Sequence, residues 1–350
     1  MNNKNPLVSI VITSYNCERY IADAIRTACM QNYDNIEIIV SDNCSTDNSQ
    51  EIIKSFLSDN RIKYSKNNQN IGMMANFLKA TKELARGEYI TYVSSDDFLI
   101  NNNFISDAIQ IINKYANVEM VHSINLSKFE NEGDTQIDYS AIYYKNKYYN
   151  KEYVSGIDVI KSFPKCHAVS FGGTIFNRSR LLECNPFQEK IMSGDTQVIL
   201  QLLLKCSVAF IAKKTYVARR HSGSATFSQI YANAYINNLV YIEKPFKDYL
   251  VDENFTKSEA EKWHFDMYVN QCKHILIKLY VENRNEYSVF ELYMKNNHPL
   301  VHEKTINNMN WFFFILFHRN PKILLPFKKL RKLIASYKYQ IRNKLYRCDF

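Results

Sequence analysis

Along its first hundred residues the chain alternates two apolar patterns. Short runs rich in Val, Ile and Tyr occur at 7–13 (LVSIVIT), 36–41 (IEIIVS) and 88–93 (EYITYV), with a shorter one at 61–65. Runs of this length bounded by polar residues read as buried strands. Between them, apolar residues recur at helical spacing: Ile21, Ala24, Ile25 and Ala28 within 18–31, a segment from Asp47 to about residue 57, and 73–85 before Gly87. Asp47 and Gln50 stand at capping-box spacing, and Gly87 suits a helix stop. Strand alternating with helix at this rhythm predicts an α/β fold with a doubly wound, mostly parallel sheet. Such sheets take ligands at the carboxyl ends of their strands. Thr13, Asp42, Asn70 and Asp96 lie at or just beyond such ends.

The pattern continues with a helix at 103–115 and a strand at 118–124, and then breaks. Residues 125–151, rich in Tyr, Asn and Lys, read as a variable insertion. Order resumes at 154–163, and Gly172-Gly173 precedes a short strand at 174–176. A helix over 195–205 opens with Gly194 before it and Asp195 at or near its N-cap. Beyond Tyr231 helical spacing dominates, notably at 256–281 and 286–296, with no internal repeat.

The strand at 88–93 stops on Ser94, Ser95, Asp96 and Asp97. Adjacent carboxylates at the end of a buried strand are costly unless they hold a cation or hydrogen-bond a ligand. A metal-dependent enzyme would place its metal there. The same residues also suit a cap for the following helix or a solvated turn.

With 46% hydrophobic and 23% charged residues, the composition is that of a globular chain, and 350 residues allow one large domain plus an extension. Eight cysteines are scattered without a CxxC pair, and the N-terminus lacks signal-peptide character, which fits a reducing cytoplasm. The net charge of +9 is local. Residues 319–350 hold ten Lys/Arg against Asp349, so that the remaining 318 residues balance. Trp311 to Phe317 (WFFFILF) is too short to span a bilayer. From Phe327 onward, Leu330, Ile334, Tyr337, Ile341 and Leu345 share a helical face while Lys and Arg crowd the rest. Such a helix suits an anionic membrane surface, or docking of its apolar stripe on the protein's own body. No reader motif accompanies the tail, which argues against nucleic acid.

The segments VSIVITSYNCERYIADAIRTACMQNYDNIEIIVSDNCSTDNS and NIGMMANFLKATKELARGEYITYVSSDD resemble the nucleotide-sugar-binding half of the family-2 glycosyltransferases. Gly194-Asp195 and Arg219-Arg220-His221 with Ser222-Gly223-Ser224 resemble later motifs of that family, so the likeness runs over about 6–226. The resemblance implies a glycosyltransferase-A fold for a catalytic domain at 1–226, while the residue patterns beyond it read as a helical extension at 227–310 and the basic amphipathic tail at 311–350. It implies inverting transfer of a sugar from a nucleoside-diphosphate donor, a UDP-sugar, to a hydroxyl of a growing cell-surface glycan or lipid-linked saccharide. It also implies Asp195 as catalytic base, with Thr13, Tyr15, Asp42 and Asp96 around the donor and Asp42 on the base. Asn70, Ser94, Ser95 and Arg219 are further donor-binding candidates by their place at the strand ends and their chemistry, and Arg219 equally suits a surface salt bridge. Asp96 would hold a divalent metal, Mn2+ or Mg2+; by its chemistry His221 suits a further ligand, or equally a surface residue beside two arginines. The expected location is cytoplasmic, peripheral on the inner face of the cell membrane.

The chain departs from the family pattern at three positions. Ser94 replaces the first carboxylate of Asp-X-Asp, and Asn43 and Cys44 stand where Asp and Gly are common. These departures motivate an alternative, a non-catalytic nucleotide-sugar-binding relative or partner subunit. A nucleotidyltransferase would want a Gly-rich phosphate loop after the first strand, where TSYN stands instead.

Overall fold

The computed structural model describes residues 5–129, 135–137, 147–148, 151–165, 169–187, 193–221, 223 and 231–307. The chain divides into two compact units, Met1–Leu292 and Tyr293–Phe350. The tail at 311–350, together with Ser222 and Ser224, lies outside the described residues.

The first half follows the predicted rhythm. Strand β1 (Val8–Ser14) leads to α1 (Ile21–Cys29), β2 (Ile36–Asp42), α2 (Ser49–Lys54) and β3 (Ile62–Lys66). Then come α3 (Met73–Lys79), closed by a π-helical turn at Ala80–Leu84, and β4 (Tyr89–Ser94). β3, β2, β1 and β4 are neighbours in that order and pair in parallel. β1, β2 and β4 are rich in apolar residues because both faces are covered, with Ile10, Ile12, Ile38 and Val40 fully buried, whereas the edge strand β3 buries only Ile62. Ile25 and Ala28 of α1 pack into the same core.

β5 (Phe98–Leu99), α4 (Phe104–Lys114) and β6 (Val118–Phe129) follow, with β7 (Thr135–Ile137), β8 (Val154–Ser155), α5 (Gly156–Ser162), β9 (Thr174–Asn177) and α6 (Arg178–Glu183). α7 (Gly194–Leu203) and β10 (Ser207–Arg220) complete the sheet region. The sheet is mixed: β9 runs antiparallel between β4 and β6, while β10 pairs in parallel with β6 and antiparallel with β5.

Two expectations change. Strand β6 runs to Phe129, into the segment read as an insertion, because Leu126 and Asn125 are buried and their backbone pairs with β10. α2 has no capping box: it starts at Ser49, and Asp47 instead accepts from Glu18 N at 2.9 Å and Ser49 N at 3.0 Å.

The helical segment comprises α8 (Ala232–Asn238), α9 (Val240–Val251) and α10 (Lys257–Glu282), the last opened by a full capping box of Thr256 and Glu259. These helices dock on the sheet-bearing part through buried polar ties. Tyr249 Oη donates to Leu200 O at 3.0 Å and Trp263 Nε1 to Ile160 O at 2.9 Å. α11 (Arg284–Asn297) and α12 (Pro299–Asn307) follow. Among the described residues no helix is long and apolar enough to cross a membrane.

Candidate functional site

Parallel pairing sets Ser41, Thr13 and Ser94 side by side at the carboxyl ends of β2, β1 and β4, with Ser14 opposite Asp42. The loops beyond are tied together by side chains. Asn16, at φ 48°, donates its N–H to Ser45 Oγ, and its Oδ1 accepts from Thr46 N at 2.8 Å. Cys17 N donates to Ser49 Oγ at 2.9 Å. Tyr15, in the same loop, stays 48% exposed.

Asp42 is fully buried. Its Oδ1 accepts from Ser45 N at 2.8 Å and Ser45 Oγ at 2.6 Å, and its Oδ2 from Tyr64 Oη at 3.0 Å. A carboxylate offers about four acceptor positions, so roughly one remains. The amide at Asn43 does what a carboxylate could not. Its Nδ2 donates to Asn70 Oδ1 at 2.8 Å while its Oδ1 accepts from Asn67 Nδ2 and Ile71 N, each at 3.0 Å. Asn67 and Asn76 extend this network to Ser41 and to Lys79.

The two acidic residues after β4 have different environments. Neither caps the next helix, since α4 begins only at Phe104. Asp97 is buried: its Oδ2 accepts from Tyr216 Oη at 2.5 Å and its Oδ1 from Arg219 N at 2.8 Å. Desolvation, with the Asp96 charge beside it, pushes its carboxyl up to about 7. Asp96 stays a quarter exposed, and its Oδ2 meets His221 Nε2 at 3.1 Å. Ser95 is buried, its hydroxyl bonded to the Cys17 side chain, whose thiol burial raises to about 11.

Arg219 holds this cluster to α1. Its guanidinium lies over the rings of Phe98 at 4.5 Å and Tyr20 at 5.0 Å, pairs with Asp23 at 2.5 Å, and donates to Asp96 O at 3.2 Å. Tyr20 also packs on the His221 ring, 4.9 Å between centroids. One aromatic side chain therefore supports both the arginine and the imidazole.

Asp195 stands on a different element. α7 starts at Gly194 with Ser193 as its N-cap, so Asp195 sits within the first turn rather than at the cap. Its Oδ1 accepts from Thr196 N at 2.7 Å and more distantly from Thr196 Oγ1 at 3.4 Å, and among the described residues no donor reaches Oδ2. Desolvation raises its carboxyl above the ordinary aspartate value, opposed by the Thr196 hydrogen bonds. The Tyr241 phenol on α9 is pushed up by burial and, secondarily, by the Asp195 charge, which puts α9 beside the carboxylate.

Direct contacts thus bring together Asp96, Arg219 and His221, with Ser94 tied in through its N–H to Tyr216 Oη at 3.3 Å. They separately join Asp42 to its loop and Asn70 to Asn43. Thr13 shares a register row with Ser94. No described hydrogen bond links Asp195 to either cluster. Tyr20 and Asp23 lie within the first quoted segment without being singled out there, and Phe98 and Tyr216 belong to no motif that the sequence pattern singles out. Asp97 stands out there only as a neighbour of Asp96.

One carboxylate and one imidazole meeting at the end of β4 form an oxygen and nitrogen donor set that suits Mn2+ or a related ion, with Mg2+ served by the carboxylate alone. No group of three His, Cys, Asp or Glu side chains is arranged to hold a metal by itself among the described residues. Further ligands would have to come from a bound molecule or water, as is usual for these ions at phosphate sites.

Residues 9–176 match the model of glycosyl transferase family 2. A glycosyltransferase of Streptococcus pneumoniae, GlyG, is 30% identical over 62% of this chain and 72% of its own. An Escherichia coli relative, the UDP-Glc:alpha-D-GlcNAc-diphosphoundecaprenol beta-1,3-glucosyltransferase WfaP, is 40% identical over 27% of this chain and 37% of its own. In structure the chain is similar to S. aureus TarS 1-349 in complex with UDP-GlcNAc, with TM-score 0.62 and 15% identity, covering 89% of this chain and 91% of that one. It is also similar to the mannosyltransferase PcManGT from Pyrobaculum calidifontis in complex with GDP-Man and Mn2+, with TM-score 0.54 and 12% identity over 99% and 89% of the two chains. The likeness in fold is to glycosyltransferases, and the likeness in sequence extends through the strand ends and the turn after β4: this chain is a glycosyltransferase of family 2.

Proposed function

We propose that the chain transfers a sugar, with inversion, from a UDP-sugar to a hydroxyl of a cell-surface glycan or lipid-linked saccharide. The observation that carries this reading is the meeting of Asp96 and His221 at 3.1 Å beside the carboxyl end of β4. Thr13, Tyr15, Asn70, Ser94, Ser95 and Arg219 would border the donor. Asp42, already holding its loop, would offer its remaining acceptor position to the base.

A divalent cation held by Asp96 and His221 would offset the charge that grows on the departing diphosphate. Arg219 keeps Asp96 in place through its backbone carbonyl, and its own charge is already paired with Asp23, so its part is chiefly to hold the turn. Asp195 would accept the proton of the acceptor hydroxyl at Oδ2 as that oxygen attacks the anomeric carbon. Anchoring Oδ1 on Thr196 fixes the carboxylate plane, and desolvation makes it a better base than a solvated aspartate. Attack opposite the leaving diphosphate, with a single displacement, inverts the anomeric centre.

UDP donors are supported by the names of WfaP and of the TarS complex, and an undecaprenol-linked acceptor by WfaP. The basic tail would keep the enzyme at an anionic membrane surface on the cytoplasmic side, within reach of a lipid-linked acceptor. The test is a panel of UDP- and GDP-sugars with Mn2+ and lipid-linked saccharides. Products are read by mass spectrometry and the new anomeric centre by NMR. Turnover with inversion is expected. Binding of nucleotide sugar without turnover for every pair would favour the non-catalytic alternative that Ser94 suggests.

A further inference from the structure

Asn238, the last residue of α8, makes two hydrogen bonds to one residue. Its Oδ1 accepts from Ser193 N at 2.8 Å and its Nδ2 donates to Ser193 Oγ at 2.9 Å. Asn238 is 8% exposed, so both bonds are sheltered from water. Ser193 is the N-cap of α7, and an N-cap serine ordinarily turns its hydroxyl onto the backbone N–H two or three residues ahead. Ser193 makes no such cap. The N–H three residues ahead belongs to Thr196, and it is taken instead by Asp195 Oδ1 at 2.7 Å.

We infer that Asn238 is a positioning residue for Asp195: by drawing the Ser193 hydroxyl away from the helix, it reserves the Thr196 N–H for the carboxylate. That donor fixes one oxygen of Asp195 and leaves the other open. Without Asn238 the Ser193 hydroxyl competes for the same N–H, and the carboxylate loses its anchor. The residue lies on α8, beyond both the family-model match and the motif segments. The helical segment thus reaches the reaction through the N-terminus of α7. The inference rests on Asp195 as the base.

The experiment compares N238A, S193A and the double variant with the native chain, using the nucleotide sugar that gives turnover and water or saccharide as acceptor. UDP affinity is measured by titration calorimetry. In N238A turnover falls about ten- to hundredfold, the scale set by misplacing a catalytic group, with UDP affinity unchanged. Losing the Thr196 hydrogen bond raises the carboxyl's pKa, so the acid limb of the pH–rate profile moves to higher pH. Adding S193A removes the competing hydroxyl, and the double variant regains turnover and the native acid limb. A merely structural tie predicts the reverse, a double variant at least as impaired as N238A. That result, or an unchanged N238A, overturns the inference. D195N separates the two readings: if it keeps native turnover, the base assignment itself fails, whatever N238A does.

Discussion

Tyr216 Oη donates a 2.5 Å hydrogen bond to Asp97 Oδ2, joining β10 to the turn that carries Asp96. Both side chains are buried, and the same phenol oxygen accepts from Ser94 N. The ring fits because residue 172 is glycine: a Cβ there would come within 2.5 Å of it. Y216F leaves a buried carboxyl and a backbone N–H each short of a partner, which costs about 2–3 kcal/mol. Urea unfolding should show a lower midpoint with an unchanged slope. G172A, which displaces the ring, should shift the midpoint in the same direction.

Tyr20 supports His221 and Arg219 together. H221A and Y20A should each weaken Mn2+ binding in the presence of UDP, by about ten- to hundredfold for H221A and less for Y20A, as expected of a ligand and the group that orients it. Electron paramagnetic resonance titration of Mn2+ reads this without turnover. Native affinity in H221A would remove the imidazole from the metal site.

At the opposite strand ends, Glu37 is buried with Lys63 Nζ at 2.6 Å, Ser9 Oγ at 2.6 Å and Arg86 N at 2.6 Å. Desolvation alone would push its carboxyl up. The hydrogen bonds from Lys63, Ser9 and Arg86 outweigh it and hold the carboxyl below the ordinary 4.5. A depressed carboxyl contributes stability that is complete above pH 4.5 and is lost as pH falls through its folded value. E37Q should therefore be destabilised by about 2 kcal/mol near neutral pH, a gap that narrows on acidification in denaturant titrations.

The tail makes a prediction from sequence alone, since residues 311–350 lie outside the described part. The full chain should co-sediment with vesicles containing phosphatidylglycerol, and a chain ending before Trp311 should stay in the supernatant. Pelleting should decline as salt rises, because the attraction is screened. Equal pelleting of both chains would place membrane attachment elsewhere or nowhere.

The parallel half of the sheet was legible because β1, β2 and β4 are buried on both faces and read as short, mostly apolar runs bounded by polar residues. β10 was not. Its apolar run is interrupted at Lys213 and Lys214, where the pairing with β6 shifts register, so that VAFIA and TYVARR do not read as one strand. Asp96 could be found from an abrupt strand end. The roles of Tyr20 and Asp23 could not, because contacts between α1 and β10 join residues about two hundred positions apart. Asn43 looked like a lost carboxylate, and only the geometry reveals an amide using its donor and acceptor at once. Asn238 carries no sequence signal beyond being a polar residue in a helix.

The central claim is a division of labour between Asp96 and Asp195, and one paired measurement tests it most directly. Donor binding and turnover are measured in D96A and D195N with the same UDP-sugar and Mn2+. D195N should bind the donor as the native chain does while turnover falls about 10²–10⁴-fold, and D96A should lose both. Native turnover in D195N, or undiminished donor binding in D96A, would contradict the account.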